Sequence, residues 1–187
     1  GQSIADVLER YGGAARVAEL DRILLSGSME GGGGIPFQLK IAGQNTRFEA
    51  RDVLTVRNGR LVQEAVSGSR LGRVRRDGLG MEEHLLFPIE LIRALGHELR
   101  FVERREGHLW FKGEIRRAAE FIGYEPLPVE VEVAVDEQAL VPVAAWFRDP
   151  AGSPVEWRWE EYGEVAGVPV AGRVSRILSD DFATVYR

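Results

Sequence analysis

The sequence predicts a mainly β protein, in which an antiparallel sheet of roughly ten strands is accompanied by two helical regions. Valines alternate with glutamate or alanine over residues 129–135. Apolar and charged residues alternate again over residues 155–160, which puts Trp157 and Trp159 on one face of a strand. Asn58-Gly59 is a strong hairpin signal between two further apolar runs. A sheet of this kind keeps one face in water and must cover the other.

The first 21 residues are predicted to form an amphipathic helical lead. Ser3 and Asp6 have the spacing of a capping box, and apolar residues then follow at helical intervals. Gly12-Gly13 interrupts the helix, and residues 14–20 form a second short helical stretch. The apolar stripe of this lead needs a surface on which to pack.

The strands follow from alternating patterns and from the turn residues that separate them. A four-glycine connector at residues 31–34 joins the first two strands into a loose hairpin. We find no linker and no repeat of fixed period, so residues 1–187 are expected to form a single domain. The predicted strands are residues 22–30, 35–42, 45–50, 53–57, 60–66, 98–105, 108–116, 129–135, 140–148, 155–163, 168–178 and 181–186.

The middle of the chain departs from this strand pattern. Residues 67–80 are predicted to form a long loop, which carries four arginines and one acid, Asp77. A solvated loop is one interpretation, and a contact patch for anionic headgroups or an acidic partner is the other. A helix is predicted over residues 82–95, with Pro88 in its first turn and Gly96 at its end. The four arginines of the loop are Arg70, Arg73, Arg75 and Arg76.

The composition is that of a folded protein and excludes several classes of function. The 187 residues are 44% hydrophobic and 28% charged, with a net charge of -5 and a pI near 5.4. This charge argues against nucleic-acid binding. Cysteine is absent, and no apolar run approaches the roughly 20 residues of a membrane-spanning helix. Because the chain opens on Gly1 without a hydrophobic leader, we expect that a secretion signal has been removed.

Motifs for catalysis or metal binding are not found. His97-Glu98 begins a zincin-like pattern, but Phe101 stands where the second histidine ligand would be. The serines at 67–69 lack the flanks of a nucleophile elbow, and the four glycines do not open a helix as phosphate loops do. We therefore expect no enzyme activity, no metal and no cofactor. A site assembled from scattered residues remains the alternative.

Aromatic residues on the predicted strands are the remaining signal. Single aromatic residues on strands usually belong to an ordinary core. Here the strands present a very wide apolar face, while two helical regions can cover only part of it. The sheet therefore either closes into a packed barrel or stays partly open around a cavity.

The chain resembles the LolA/LolB-like outer-membrane lipoprotein carriers over nearly its whole length. The resemblance lies in the helical lead ending at residues 11–13, in a first strand through residues 25–27, and in Arg47-Phe48-Glu49, which is similar to the family's Arg-aromatic-acid segment. It continues through the Asn58-Gly59 turn and through the apolar helix at the position of the family's lid.

This resemblance implies an unclosed antiparallel half-barrel, with the N-terminal helix and a midchain lid helix over its concave face. It further implies a non-enzymatic carrier or binder of acylated ligands, either lipoprotein acyl chains or free lipids. Its partners would be the lipid or lipoprotein and a membrane-bound donor or acceptor protein, with transient contact to the membrane surface. Such a carrier works in the periplasm or elsewhere outside the cytoplasm. The alternative is a sensor or interaction module that presents the half-barrel to a protein partner.

Site residues follow from the alternation together with the resemblance. Arg47 is the candidate for orienting the lid or a headgroup, although alternation places it opposite Phe48. The four loop arginines are candidates for contact with headgroups or a partner. The residues expected to line the apolar cavity and its lid are Phe37, Leu39, Phe48, Phe101, Trp110, Val133, Trp157, Trp159, Leu91, Ile92 and Leu95.

Overall fold

The architecture is described from a computed structural model of the chain. The structure describes residues 3–20, 22–30, 34–43, 45–51, 53–58, 61–66, 72–73, 85–89, 91–92, 98–115, 129–148, 152–179 and 182–187. Two short helices, α1 (Ile4–Arg10) and α2 (Gly13–Glu19), precede thirteen strands within these ranges. The strands are β1 Arg22–Met29, β2 Ile35–Ala42, β3 Asn45–Ala50, β4 Val53–Asn58, β5 Leu61–Val66, β6 Gly72–Arg73, β7 Arg100–Arg105, β8 His108–Ile115, β9 Val129–Asp136, β10 Pro142–Arg148, β11 Pro154–Val165, β12 Val168–Ser179 and β13 Phe182–Tyr186.

All thirteen strands of the described chain belong to one antiparallel sheet. Their order is β6-β5-β4-β3-β2-β1-β13-β12-β11-β10-β9-β8-β7. The chain therefore runs as one meander from β1 to β6, crosses to the opposite edge of the sheet, and returns as a second meander from β7 to β13. The sheet is not closed, and with its two helices it forms the unclosed half-barrel that was predicted.

The helical lead has the predicted form. The backbone N–H of Ser3 donates to Asp6 Oδ2 at 2.6 Å, which satisfies one of the free N–H groups at the start of α1. Gly12 has a left-handed φ of 92°, and this conformation turns the chain from α1 into α2. Val7, Tyr11 and Val17 are buried in the core, so both helices pack on the sheet.

The strands lie close to where the alternation predicts them, but several ends differ by one or two residues and one short strand was not predicted. Strand β7 begins at Arg100 and not at residue 98, and β11 ends at Val165 and not at residue 163. The strand predicted from residue 140 begins at Pro142, because Leu140 takes a left-handed φ of 54° in a turn in which its N–H donates to Asp136 O at 2.9 Å. Within the predicted loop 67–80, Gly72 and Arg73 pair with β5 and form the short strand β6. Sequence patterns do not show so short a strand.

The two meanders are joined between β1 and β13. Ser28 N–H donates to Arg187 O at 2.7 Å, and Arg187 N–H donates to Ser28 O at 2.8 Å. Gly27 permits this approach, since a Cβ on Gly27 would lie 1.9 Å from the same Arg187 oxygen. The absence of a side chain at residue 27 therefore lets β1 and β13, the first and last strands in chain order, pair in the middle of the sheet.

Candidate functional site

One face of the half-barrel, called the inner face below, is apolar along most of its width. On β8 to β11 most residues of one alternating set point to this face and are buried, and β12 adds the buried Val174, while many residues of the other set carry charge. Lys112, for example, forms ion pairs with Glu130 at 2.9 Å and with Glu132 at 3.1 Å on the outer face. The inner-face residues of these strands include Leu109, Phe111, Val131, Val133, Ala145, Phe147, Val155, Trp157, Trp159 and Val174.

The other half of the inner face is centred on an aromatic cluster from three strands. The rings of Phe37 and Phe48 stack with centroids 5.9 Å apart. The ring of Tyr186 meets Phe37 edge-on at 5.4 Å and Phe48 at 6.5 Å. Leu39 beside them is 0% exposed. Both meanders therefore contribute to one continuous apolar surface.

An apolar segment of the chain, here called the cover segment, lies against this surface. It consists of residues 85–89, 91 and 92, which belong to the connection between the two meanders. Ile89, Leu91 and Ile92 are helical, and the N–H of Leu91 donates to Pro88 O at 3.1 Å. The cover segment contains part of the predicted lid helix, whose remaining residues lie outside the described ranges. Its side chains are buried in the same core cluster as the inner face, namely those of Leu85, Leu86, Phe87, Ile89, Leu91 and Ile92.

A buried hydrogen bond attaches the cover segment to the sheet. Trp159 Nε1 donates to the carbonyl oxygen of Leu85 at 2.6 Å. The other interactions described between the cover segment and the inner face are apolar contacts, which are non-directional. Such contacts can be exchanged for contacts with another apolar group without leaving polar atoms unpaired.

The structure brings most of the predicted cavity residues together. Phe101 is 44% exposed at the margin of the inner face, where its ring meets Phe111 edge-on at 5.9 Å. Leu95 lies outside the described residues. The predicted residues buried together in the core cluster are Phe37, Leu39, Phe48, Val133, Trp157, Trp159, Leu91 and Ile92.

Trp110 lies on the outer face and not on the predicted inner face. It pairs with Ala134 and alternates with the inner residues Leu109 and Phe111. Its ring stacks on Trp146 at 5.1 Å, and the guanidinium of Arg105 lies 4.3 Å from the ring centroid. An aromatic residue is tolerated on the outer face because these neighbours cover part of its surface.

Arg47 also lies on the outer face. The pairing of β3 with β2 and β4 has no register shift, so Arg47 keeps the face opposite to Phe48. Its side chain is 51% exposed and forms an ion pair with Glu49. From the outer face Arg47 does not reach the cover segment, so the structure does not place it where it could orient the lid.

The contact with headgroups or a partner that was predicted for the four loop arginines stays a prediction. Arg70, Arg75 and Arg76 lie outside the described residues. Arg73 is described through its backbone in β6, and the placement of its side chain is not. Among the described residues, no group of three or more His, Cys, Asp or Glu side chains is placed to hold a metal ion, and no helix is long and apolar enough to span a membrane.

Sequence analysis missed a cationic residue on the inner face, Arg176. It alternates with Val174, which is buried in the core, and with Leu178, which packs against the core. It pairs directly with the inner residue Trp157. Its other strand partner is Thr184. The apolar residues at positions 174 and 178, two residues on either side of Arg176, indicate from the sequence that Arg176 shares their face. The strand register was needed to place it beside Trp157.

Two tyrosines lie together between helix α1 and the sheet. Tyr162 donates its hydroxyl to Pro142 O at 2.6 Å. Burial raises the pKa of Tyr11 above its ordinary value, and the hydroxyl of Tyr162 lowers it by a smaller amount. Burial likewise raises the pKa of Tyr162, and the neighbouring Tyr11 raises it further. Both side chains therefore stay neutral at ordinary pH and serve to hold α1 against the sheet.

Comparison with known proteins identifies relatives of the fold. No family model and no curated protein sequence matches the chain. Among solved structures, a LolA superfamily protein from Nitrosomonas europaea matches with a TM-score of 0.63 at 12% identity, covering 100% of this chain and 90% of that one. A domain from Vibrio parahaemolyticus, provisionally named an outer membrane lipoprotein-sorting protein, matches with a TM-score of 0.58 at 16% identity, covering 98% and 87%.

A third structure, a DUF1329 family protein from Desulfovibrio piger, matches with a TM-score of 0.54 at 12% identity, covering 99% of this chain and 90% of that one. All three likenesses extend over nearly the whole length of both partners. At these identities they show the fold and not the activity. The resemblance inferred from the sequence is confirmed at that level: the chain shares its fold with a LolA superfamily structure and with the lipoprotein-sorting domain.

Proposed function

We propose that the chain binds acylated ligands, either lipoprotein acyl chains or free lipids, on the inner face beneath the cover segment. The observation that carries the proposal is the contact between two buried apolar surfaces, one on the sheet and one on a separate chain segment. A ligand of matching chemistry can replace the apolar contacts of the second surface without creating unpaired polar groups, and the bond from Trp159 to Leu85 is the one described polar contact that it would break.

The energetics of this exchange favour a flexible apolar ligand. Each methylene moved from water into a dry apolar site contributes about 0.8 kcal/mol. Displacing the cover segment costs its own apolar contacts and the hydrogen bond from Trp159 to Leu85. An acyl chain regains the apolar contacts and loses its exposure to water in the same step, so long chains should bind better than short ones.

The cellular location of this activity and its partners are also part of the proposal. A carrier of lipoproteins or lipids outside the cytoplasm is supported by the likeness to a lipoprotein-sorting domain. It would exchange its ligand with a membrane-bound donor or acceptor and touch a membrane surface briefly. In this role the chain has no catalytic function.

A second candidate is an interaction or sensor module, and edge strand β7 favours it. All six residues of β7 are exposed, and they include two large apolar side chains, Phe101 at 44% and Val102 at 57%. An exposed strand edge can pair with a segment of a partner protein. This function predicts a stoichiometric protein complex and little affinity for lipid.

The positions of the tryptophans allow a direct test with brominated acyl chains, which quench indole fluorescence only on close approach. Trp157 and Trp159 lie on the inner face, whereas Trp110 and Trp146 stack on the outer face. A variant with Trp110→Phe and Trp146→Phe keeps only the inner pair, and a variant with Trp157→Phe and Trp159→Phe keeps only the outer pair.

Saturable quenching by a bromostearic acid methyl ester is expected in the variant that keeps the inner pair, near one ligand per chain. The variant that keeps the outer pair should show little quenching, and thermal unfolding would establish that it is folded. Equal quenching of both variants, or quenching that does not saturate, would contradict an inner-face site. Absence of quenching together with capture of a protein by the β7 edge would favour the second candidate.

A further inference from the structure

Arg176 is a cation on a mainly apolar face. In β12 it lies between Val174, which is 4% exposed, and Leu178, which packs against the core. Cross-strand partners share a face of a sheet, and the partners of Arg176 are Trp157 on β11 and Thr184 on β13. The side chain therefore leaves its strand on the inner face, with a polar neighbour on one side and an indole on the other.

Trp157, the strand partner of Arg176 on the same face, carries a second hydrogen-bond donor. Its side chain is 0% exposed, and its Nε1 has no hydrogen-bond partner among the described residues. An indole N–H can only donate. A buried donor without an acceptor costs free energy, so an acceptor brought by a ligand would be bound more tightly here than at a site whose donors are already paired.

The chemistry of the two groups selects the ligand. Guanidinium carries five N–H donors in a planar fork that matches the oxygens of a carboxylate or a phosphate. Arg176 has interactions within the protein, yet five donors allow a ligand oxygen to be bound in addition. Apolar surroundings of low dielectric strengthen a charge-assisted hydrogen bond relative to water.

We propose that Arg176, together with the Nε1 of Trp157, binds the anionic end of an acyl ligand whose hydrocarbon chain lies along the inner face. The ligand class is an acyl chain that ends in an oxyanion, and both a fatty-acid carboxylate and a phosphate ester of a lipid supply that group. This inference rests on the proposed function and adds a ligand class and a residue that determines specificity.

The test compares a bromostearic acid with its methyl ester, at a pH where the acid is ionised. The two ligands share the chain and differ in the charge of the end group. The variant Arg176→Met keeps the length of the side chain and removes the cation, while Arg176→Lys keeps the cation and removes the planar fork. Quenching of the inner tryptophans gives the dissociation constant of each ligand in each variant.

The native chain is expected to bind the acid about tenfold or more tightly than the ester, because charge-assisted hydrogen bonds are stronger than neutral ones. Arg176→Met should abolish this preference and leave the affinity for the ester within about twofold, with Arg176→Lys intermediate. Trp157→Phe should lower the affinity for the acid about fivefold and that for the ester by a smaller factor, because an ester carbonyl is a weaker hydrogen-bond acceptor than a carboxylate. Thermal unfolding of each variant verifies that the fold is retained.

Further outcomes distinguish a phosphate ligand from a carboxylate ligand. They also distinguish a failure of the role of Arg176 from a failure of the proposed function. A phosphate monoester of the same chain length that binds more tightly than the acid assigns the oxyanion to a lipid phosphate, and the reverse order assigns it to a carboxylate. Equal affinity of the native chain for the acid and the ester overturns the role of Arg176 while the proposed function stands. If neither ligand binds, the proposed function fails and the inference fails with it.

Discussion

The side chain of Trp159 connects the cover segment to the sheet through one polar interaction. Its indole N–H is buried and donates to Leu85 O at 2.6 Å. Trp157 lies two residues away on the same face with the same residue type, but its Nε1 has no partner among the described residues. The two tryptophans therefore form a natural pair for separating the effect of the hydrogen bond from that of the ring.

Trp159→Phe should weaken the attachment of the cover segment. Loss of the hydrogen bond leaves the Leu85 carbonyl unpaired and should lower the free energy of unfolding by about 1 kcal/mol more than Trp157→Phe does. Association with the neutral bromostearic ester should become faster, because opening the cover segment no longer breaks this bond. Chemical denaturation and stopped-flow quenching measure the two effects. An identical response of both variants would contradict the role given to the hydrogen bond.

The burial of Tyr11 and Tyr162 should make the folded protein less stable at alkaline pH. Burial raises the pKa of both hydroxyls in the folded state above the ordinary value of 10.0. Above that pH the unfolded chain releases these protons while the folded chain keeps them, so the free energy of unfolding falls as the pH rises. A variant with Tyr11→Phe and Tyr162→Phe should show a shallower fall between about pH 10 and pH 12. Denaturant titrations at several pH values provide the measurement, and unchanged slopes would argue against this cause.

At the scale of elements, the sheet depends on the junction between β1 and β13. These strands are distant in sequence, and their pairing joins the first meander to the second. The junction is crowded, since a Cβ at residue 27 would lie 1.9 Å from Arg187 O and 3.0 Å from the ring of Phe37. The backbone oxygen cannot move aside without breaking its hydrogen bond with Ser28.

Gly27→Ala should therefore destabilise the protein by about 1–3 kcal/mol through overpacking. Gly163→Ala is the matched control, because residue 163 also lies in a strand, has no positive φ, and has open space around its Cβ position. The control should be neutral or slightly stabilising. Thermal unfolding of both variants measures the difference, and equal melting temperatures would show that the junction can relax.

At the scale of the whole molecule, the cover segment and the sheet are expected to respond differently to an acyl ligand. The N–H groups of Leu91 and Ile92 donate to the Pro88 carbonyl at 3.1 Å and 3.4 Å. Displacement of the cover segment by an acyl chain should speed hydrogen exchange in residues 85–92, while exchange in β8 to β11 stays unchanged or slows. Mass-spectrometric exchange with and without the bromostearic ester tests this. Slower exchange throughout residues 85–92 would mean that the ligand does not displace the segment.

The sequence alone determined most of the strands, their antiparallel arrangement and the placement of most inner residues, whereas the division into two meanders and the short strand β6 came from the structure. A residue period of two assigns each side chain to a face wherever one face is buried, so Phe37, Trp157 and Trp159 were placed correctly from their neighbours. The same rule placed Arg47 opposite Phe48, and the structure keeps it there.

The tertiary structure decided which face of each strand is the inner one and which residues of different strands are neighbours. Alternation divides a strand into two faces without saying which face is inside when both carry large residues, and this is why Trp110 was assigned to the wrong one. It also does not say which residues of different strands are neighbours. The pairing of Arg176 with Trp157, and the reach of Trp159 to Leu85 across 74 positions, depend on register and on the path of the cover segment. Both are set by packing between segments distant in sequence, and the chemistry proposed for the inner face depends on those contacts.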